Sequence, residues 1–197
     1  MANHPTLHII AGPNGAGKTT FAFRSLRAFS GSSRFVNLDE IARGISPLDP
    51  MAQPELAARV AISLTASFIH AGQSFSLETT MSGRTHLRTI ARAQAAGFEV
   101  HLMFFLVGTP EECLARVARR VVEGGHFVPE TDVRRWFARG LANLPAYAAA
   151  CTLWQIFDAS PPRPKVIAEG SKKQLLYRAG EPSVRPEIEA WLEALAA

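Results

Sequence analysis

The sequence predicts an α/β fold, a mostly parallel sheet with helices on both faces. Three observations carry it: apolar, β-rich runs recur along the chain, amphipathic stretches lie between them, and a glycine-rich turn joins the first run to the first helical pattern. The runs are "TLHIIA" (6–11), "RFVNL" (34–38), "SFSLE" (74–78), "EVHLMFFLV" (99–107) and "TLWQIFD" (152–158). Continuous apolar strands of this kind belong to a sheet covered on both sides, and their alternation with helices implies right-handed parallel crossovers.

The helical stretches follow in order. "TTFAFRSLRAF" succeeds the glycine-rich turn; Leu56, Val60, Leu64 and Phe68 repeat every four residues; Leu87, Ile90 and Ala91 mark another helix, and Leu114, Val117, Ala118 and Val121 a further one. Pro54 and Pro110 stand where helices can begin, Gly72 and Gly97 where they should stop. In the tail, "PPRPK" makes a rigid turn, residues 166–178 form a short hairpin or a strand with an irregular edge, and residues 185–196 form a terminal amphipathic helix. We expect a single domain over residues 1–197, with a helical lid at about 110–145 and the hairpin and last helix at about 161–197.

Composition narrows the setting. A chain of 197 residues with 47% hydrophobic and 19% charged residues can bury one sizeable core. Neither a membrane-length apolar stretch nor a signal pattern is present, so a cytoplasmic protein is expected. The net charge of +4 is largely arginine. With no aromatic-interleaved basic stripe, nucleic-acid binding is not expected. Cys113 and Cys151 lack metal-ligand or redox spacing and are expected to be buried thiols.

The glycine-rich turn carries the first chemistry. Gly12-Pro13-Asn14-Gly15-Ala16-Gly17-Lys18-Thr19, followed by Thr20, fits G-x-x-x-x-G-K-[ST] between a strand and a helix. Backbone N–H groups and the helix N-terminus can converge there on phosphates, Lys18 reaching the terminal ones and Thr19 binding Mg²⁺. The fold is therefore expected to be that of a P-loop NTPase or kinase binding ATP and Mg²⁺. An N-K-x-D run and an L-S-G-G-Q run are both missing, which argues against a GTPase and a transporter ATPase. No acid ends the strand at 99–107, which argues against a motor ATPase. A small-molecule phosphotransferase is left.

Two carboxylates stand at strand ends, Asp39 after the second run and Glu78 after the third, the latter followed by Thr79 and Thr80. A carboxylate there can take the proton of an attacking hydroxyl, while neighbouring groups hold the acceptor in line. Equally, Asp39 can cap the helix that starts at "EIARG", and Glu78 can pair with Arg84. Arg116, Arg119, Arg120, Arg134, Arg135 and Arg139 flank the Gly124-Gly125 break. Helix, break and helix is the layout of a lid, and Arg120 with Arg134 is the preferred catalytic pair. The plainer alternative is a solvated face with Glu112 and Arg116 paired at i,i+4. His126 can touch a ligand or make a local turn contact.

Together "GPNGAGKTTF", "FVNLDEIARGISP", "SFSLETTMSGRTHL" and "RRVVEGGHFVPETDVRRWFARGLANL" resemble the zeta-toxin family of P-loop kinases, in particular its small bacterial branch, over residues 7–158. The resemblance implies an ATP- and Mg²⁺-dependent kinase that phosphorylates the 3'-hydroxyl of UDP-N-acetylglucosamine and is held by a small antitoxin. It implies that Lys18 and Thr19 bind ATP and Mg²⁺ and that Asp39 is the general base. Asn37, Glu78, Thr80 and Arg84 would bind the nucleotide-sugar substrate, and Arg120 and Arg134 would be the lid arginines. The spacing of Thr79, Thr80, Met81 and Ser82 before Gly83-Arg84 departs from the better-known toxins, so the acceptor pocket can differ. A housekeeping kinase of another small hydroxyl compound and an ATP-dependent binding module remain as alternatives.

Overall fold

Each apolar run becomes a strand because its side chains find cover on both faces. In the computed structural model, which describes residues 4–125, 127–172, 174–180 and 185–196, β1 (Thr6–Ala11), β3 (Phe75–Thr79), β4 (Glu99–Leu106) and β5 (Leu153–Asp158) are parallel, with the two-residue β2 (Phe35–Val36) parallel to β3 at one edge. The expected hairpin is β6 (Lys165–Ser171) and β7 (Gln174–Arg178), which extend the sheet antiparallel. The strand order is β2-β3-β1-β4-β5-β6-β7. Strand β1 thus lies between β3 and β4, so the chain passes to opposite sides of it and opens a crevice at its C-terminal end.

Seven helices surround the sheet among the described residues: α1 (Lys18–Ser30), α2 (Leu38–Ile45), α3 (Pro54–His70), α4 (Thr85–Ala95), α5 (Pro110–Val122), α6 (Glu130–Ala150) and α7 (Pro186–Ala196). One core holds Leu7, Ile9, Phe75, Phe104 and Trp154 with Ile90, Leu144 and Tyr147. The other holds Ile10, Met103 and Phe105 with Leu26, Val117, Val133 and Phe137. Alternate residues of β1 and β4 enter opposite cores, and each fully buried aromatic is worth roughly 1.5–3 kcal/mol. Helix α6 contributes its first half to one core and its second half to the other, so it passes from the α5 side to the α4 side of the sheet.

Strand β2 is shorter than its apolar run because Asn37 ends it. The Asn37 Oδ1 accepts from the backbone N–H groups of Asp39 and Glu40 at 2.9 and 3.1 Å, which makes Asn37 the N-cap of α2. Asp39 therefore sits within the first turn of α2 rather than capping it. Both cysteines are buried free thiols, as expected, and burial pushes each up to about 12. His126 lies outside the described residues. Among the described residues, no helix is long and apolar enough to cross a membrane.

Candidate active site

The glycine-rich turn leaves the sheet where Ala11 is level with Thr79 of β3 and Phe104 of β4. Only glycine fits at position 12, since a Cβ would stand 2.4 Å from the Phe105 carbonyl oxygen. The loop then turns through Gly15 and Gly17, at φ 78° and 79°, a region that glycine enters without strain. Lys18 opens α1 almost fully buried, with Nζ donating to the Pro13 carbonyl at 2.9 Å and standing 3.8 Å from Glu78 Oε1. Burial lowers its ammonium from the usual lysine range, and the charges of Glu78 and Asp39 oppose that shift.

The loop has the chemistry of a polyphosphate cradle. The Asn14 Oδ1 is buried without a hydrogen-bond partner among the described residues, and a Cβ at Gly17 would meet nothing within 4 Å. A buried lysine, a helix N-terminus and backbone open to solvent fit a bound triphosphate.

Glu78 faces this loop. Thr19 Oγ1 donates to its two carboxylate oxygens at 3.0 and 2.9 Å, and Asn37 Nδ2 donates to Oε2 at 2.8 Å. Burial raises the Glu78 carboxyl, while Lys18, Thr19 and Asn37 favour its ionised form. Nearby Asp39 adds to the upward push, so the two carboxylates sense each other. Asp39 itself is exposed and lines a cavity of about 30 Å³ with Ala42, Arg43, Pro50 and Met51. Asn37 is buried beneath the site, with its oxygen on the α2 N–H groups and its amide on Glu78. Both ends of its side-chain amide are thus engaged within the protein.

Arg84 does not pair with Glu78. Its Nε donates to Asn143 Oδ1 of α6 at 3.2 Å, and Asn143 Nδ2 donates to the Met81 carbonyl at 3.0 Å. Thr80 donates to the Ser82 hydroxyl at 3.1 Å, and Tyr147 donates to the Gly83 carbonyl at 2.7 Å. Segment 80–84 is thus fastened to α6 beside the end of β3.

The arginines divide. Arg120 is close enough to Lys18 to oppose its charge, and Gly125 lies directly on it: a Cβ there would be 2.5 Å from Arg120 Cγ. Arg134 is not brought to the phosphate loop. It donates to Glu111 and Glu130 at 2.6 and 2.8 Å and lines a separate groove of about 430 Å³ with Pro110, Phe137, Leu141 and Arg185. This larger groove contains none of the phosphate-loop or acceptor-side residues. Arg116 does not pair with Glu112 either; it donates to the carbonyls of Gly15, Ala159 and Ser160 at 3.4, 2.8 and 3.0 Å, tying the loop to the end of β5.

Asn143 and Tyr147 escaped the sequence reading. Their signal lay in the spacing of Gly140, Asn143, Leu144 and Tyr147, which form one buried face of α6 with a polar residue inside it.

Comparison with known proteins agrees with this geometry. A family model described as an AAA domain matches residues 7–140. An uncharacterized protein of Haemophilus influenzae is 35% identical over 125 residues, covering 62% of this chain and 86% of the relative. Among solved structures, a chain of the AvrRxo1-ORF1:-ORF2 complex with ATP superposes with a TM-score of 0.68 at 17% identity over 89% of this chain. This protein spans only 61% of that chain's length. A chain from the PezAT chromosomal toxin-antitoxin system of Streptococcus pneumoniae superposes with a TM-score of 0.65 at 17% identity, covering 99% of this chain and 85% of the other. At such identities these two likenesses establish a common fold, a mostly parallel α/β sheet with the phosphate loop after its first strand.

Proposed function

The chain belongs to the AAA-domain family, and from that premise we propose that it is an ATP-dependent kinase that phosphorylates a hydroxyl of a nucleotide sugar, the 3'-hydroxyl of UDP-N-acetylglucosamine foremost. The carrying observation is the grouping of Lys18, Glu78 and an exposed Asp39 at one end of the sheet, close enough for each carboxylate to act on the lysine's charge. A nucleotide-binding switch has no need of an exposed carboxylate beside its phosphate loop; a phosphotransferase needs one to accept a proton.

In this reading the loop from Gly12 to Thr20 holds the triphosphate through its N–H groups, and Lys18 steadies the terminal phosphates. The acceptor hydroxyl gives its proton to Asp39 as its oxygen forms a bond to the γ-phosphorus. The bond from that phosphorus to the β,γ-bridging oxygen breaks, and ADP leaves with the electron pair. Arg120 offsets the charge that builds on the departing oxygens. Thr19 and Glu78, in contact with each other, are the oxygen donors that would hold Mg²⁺. Magnesium, when bound, neutralises phosphate charge. Thr80 and Arg84 are left for the acceptor, whereas Glu78 is turned toward the nucleotide side.

We further propose a cytoplasmic toxin held by a small antitoxin protein. The sequence motifs and the likeness to a PezAT chain support this role. Expression in a bacterial host tests it: the wild type should arrest growth and Asp39→Ala and Lys18→Ala should not. Mass spectrometry of the arrested cells should find a nucleotide sugar heavier by one phosphate. Normal growth with a different phosphorylated metabolite would instead identify a housekeeping kinase.

A further inference from the structure

Segment 80–84 is held with more care than an exposed loop requires. Met81 has φ of 57°, rare for a residue with a side chain, and its side chain is fully buried. Its N–H donates to Thr79 Oγ1 at 3.0 Å, its carbonyl accepts from Asn143, and a Cβ on Gly140 would come within 2.9 Å of the Thr80 carbonyl oxygen. Backbone in such a conformation persists where the surroundings over-determine it, and such places cluster at ligand sites.

The fastening ends on Arg84. Asn143 is buried, and its amide orientation is fixed by its partners: a carbonyl that can only accept on one side, a guanidinium that can only donate on the other. Arg84 is exposed, yet its stem is held through Nε. Neither of its Nη atoms meets an acceptor among the described residues. The first turn of α4 carries no acid to satisfy them, and Glu78 is engaged by Lys18, Thr19 and Asn37. A free surface arginine samples many rotamers; this one has its fork set in advance, the arrangement that suits bidentate binding of phosphate.

We propose that Asn143 is a positioning residue that presents Arg84 to a phosphate group of the acceptor, so that the acceptor pocket selects a diphosphate-bearing compound over its unphosphorylated counterpart. This rests on the kinase reading for its setting, and it adds a role for α6. The second helix of the lid segment sets the anion-binding fork of the acceptor side.

The test uses the full chain with the phosphate loop saturated by a non-hydrolysable ATP analogue and Mg²⁺, and uridine diphosphate and uridine as probes. Calorimetry should find that Arg84→Ala and Asn143→Ala each weaken uridine diphosphate binding by about tenfold or more, with uridine binding unchanged. In the double variant the loss should be no greater than for Arg84→Ala alone. Arg84→Lys keeps the charge on an exposed side chain but lacks the Nε–H that Asn143 accepts, and should lose selectivity as well. Additive losses, equal losses for both probes, a lysine as good as the arginine, or a wild type that does not bind uridine diphosphate would each overturn the proposal. Phosphate transfer to UDP-N-acetylglucosamine, measured for the same variants with ATP and Mg²⁺ in place of the analogue, separates the two ideas. Arg84-dependent binding without transfer retires the kinase reading alone, and transfer indifferent to Arg84 and Asn143 retires this one alone.

Discussion

Glu78 receives the Thr19 hydroxyl on both of its carboxylate oxygens, at 3.0 and 2.9 Å, across 59 residues of sequence. The contact follows from topology. Strand β3 is the immediate neighbour of β1, with Glu78 level with Ile10, so the end of β3 opens against the start of the phosphate loop.

Glu78 is also the counter-charge of buried Lys18, so Glu78→Gln should destabilise the nucleotide-free protein by about 2 kcal/mol, as it leaves a buried ammonium less well compensated. Thermal unfolding with and without ATP and Mg²⁺ checks this. The variant should also gain less stability from adding Mg²⁺ to the ATP complex than the wild type does.

Arg116→Ala should weaken ATP binding by about tenfold and leave acceptor binding unchanged, because it frees the Gly15 carbonyl together with those of Ala159 and Ser160. Equilibrium titration with a fluorescent ATP analogue is the measurement. An unchanged affinity would mean that the loop holds its shape without the tie.

Acid should weaken the fold through His8. Its imidazole is buried beside His101, and burial first, His101 second, lower it to about 4 from an ordinary 6.5. The folded state therefore keeps His8 neutral where the unfolded chain takes up a proton. Stability is fully present above the unfolded value and falls as pH drops from about 6.5 toward 4, by ~3 kcal/mol at most. Urea unfolding of the wild type and His8→Asn at pH 7.5 and 4.5 should give a smaller pH dependence in the variant.

Much of the fold was legible in the sequence because each strand is a short apolar run bounded by turn residues, and the phosphate loop lies between a strand and a helix. What escaped is a helix cap and the partners of several side chains. The sequence ran the second strand through Leu38, but the Asn37 cap ends it at Val36 and places Asp39 inside a helix. Arg134 looked like half of a catalytic pair, yet Glu111 on another helix and Glu130 one turn away hold it at a different groove. Arg84 looked like a partner for Glu78 only six residues off, whereas its partner, Asn143, is 59 residues away. Chain proximity suggested local pairs, and the sheet order together with the course of α6 replaced them.

In the proposed mechanism Asp39 turns a phosphate-binding loop into a phosphotransferase. Single-turnover transfer from radiolabelled ATP to purified UDP-N-acetylglucosamine, comparing wild type with Asp39→Asn, tests it most directly. The wild type should place one phosphate on the sugar 3'-hydroxyl, and the variant should do so at a rate lower by about 10²–10⁴ at unchanged ATP affinity. Transfer that persists at the wild-type rate in Asp39→Asn, or ATP consumed by the wild type with no label on any nucleotide sugar, would contradict it.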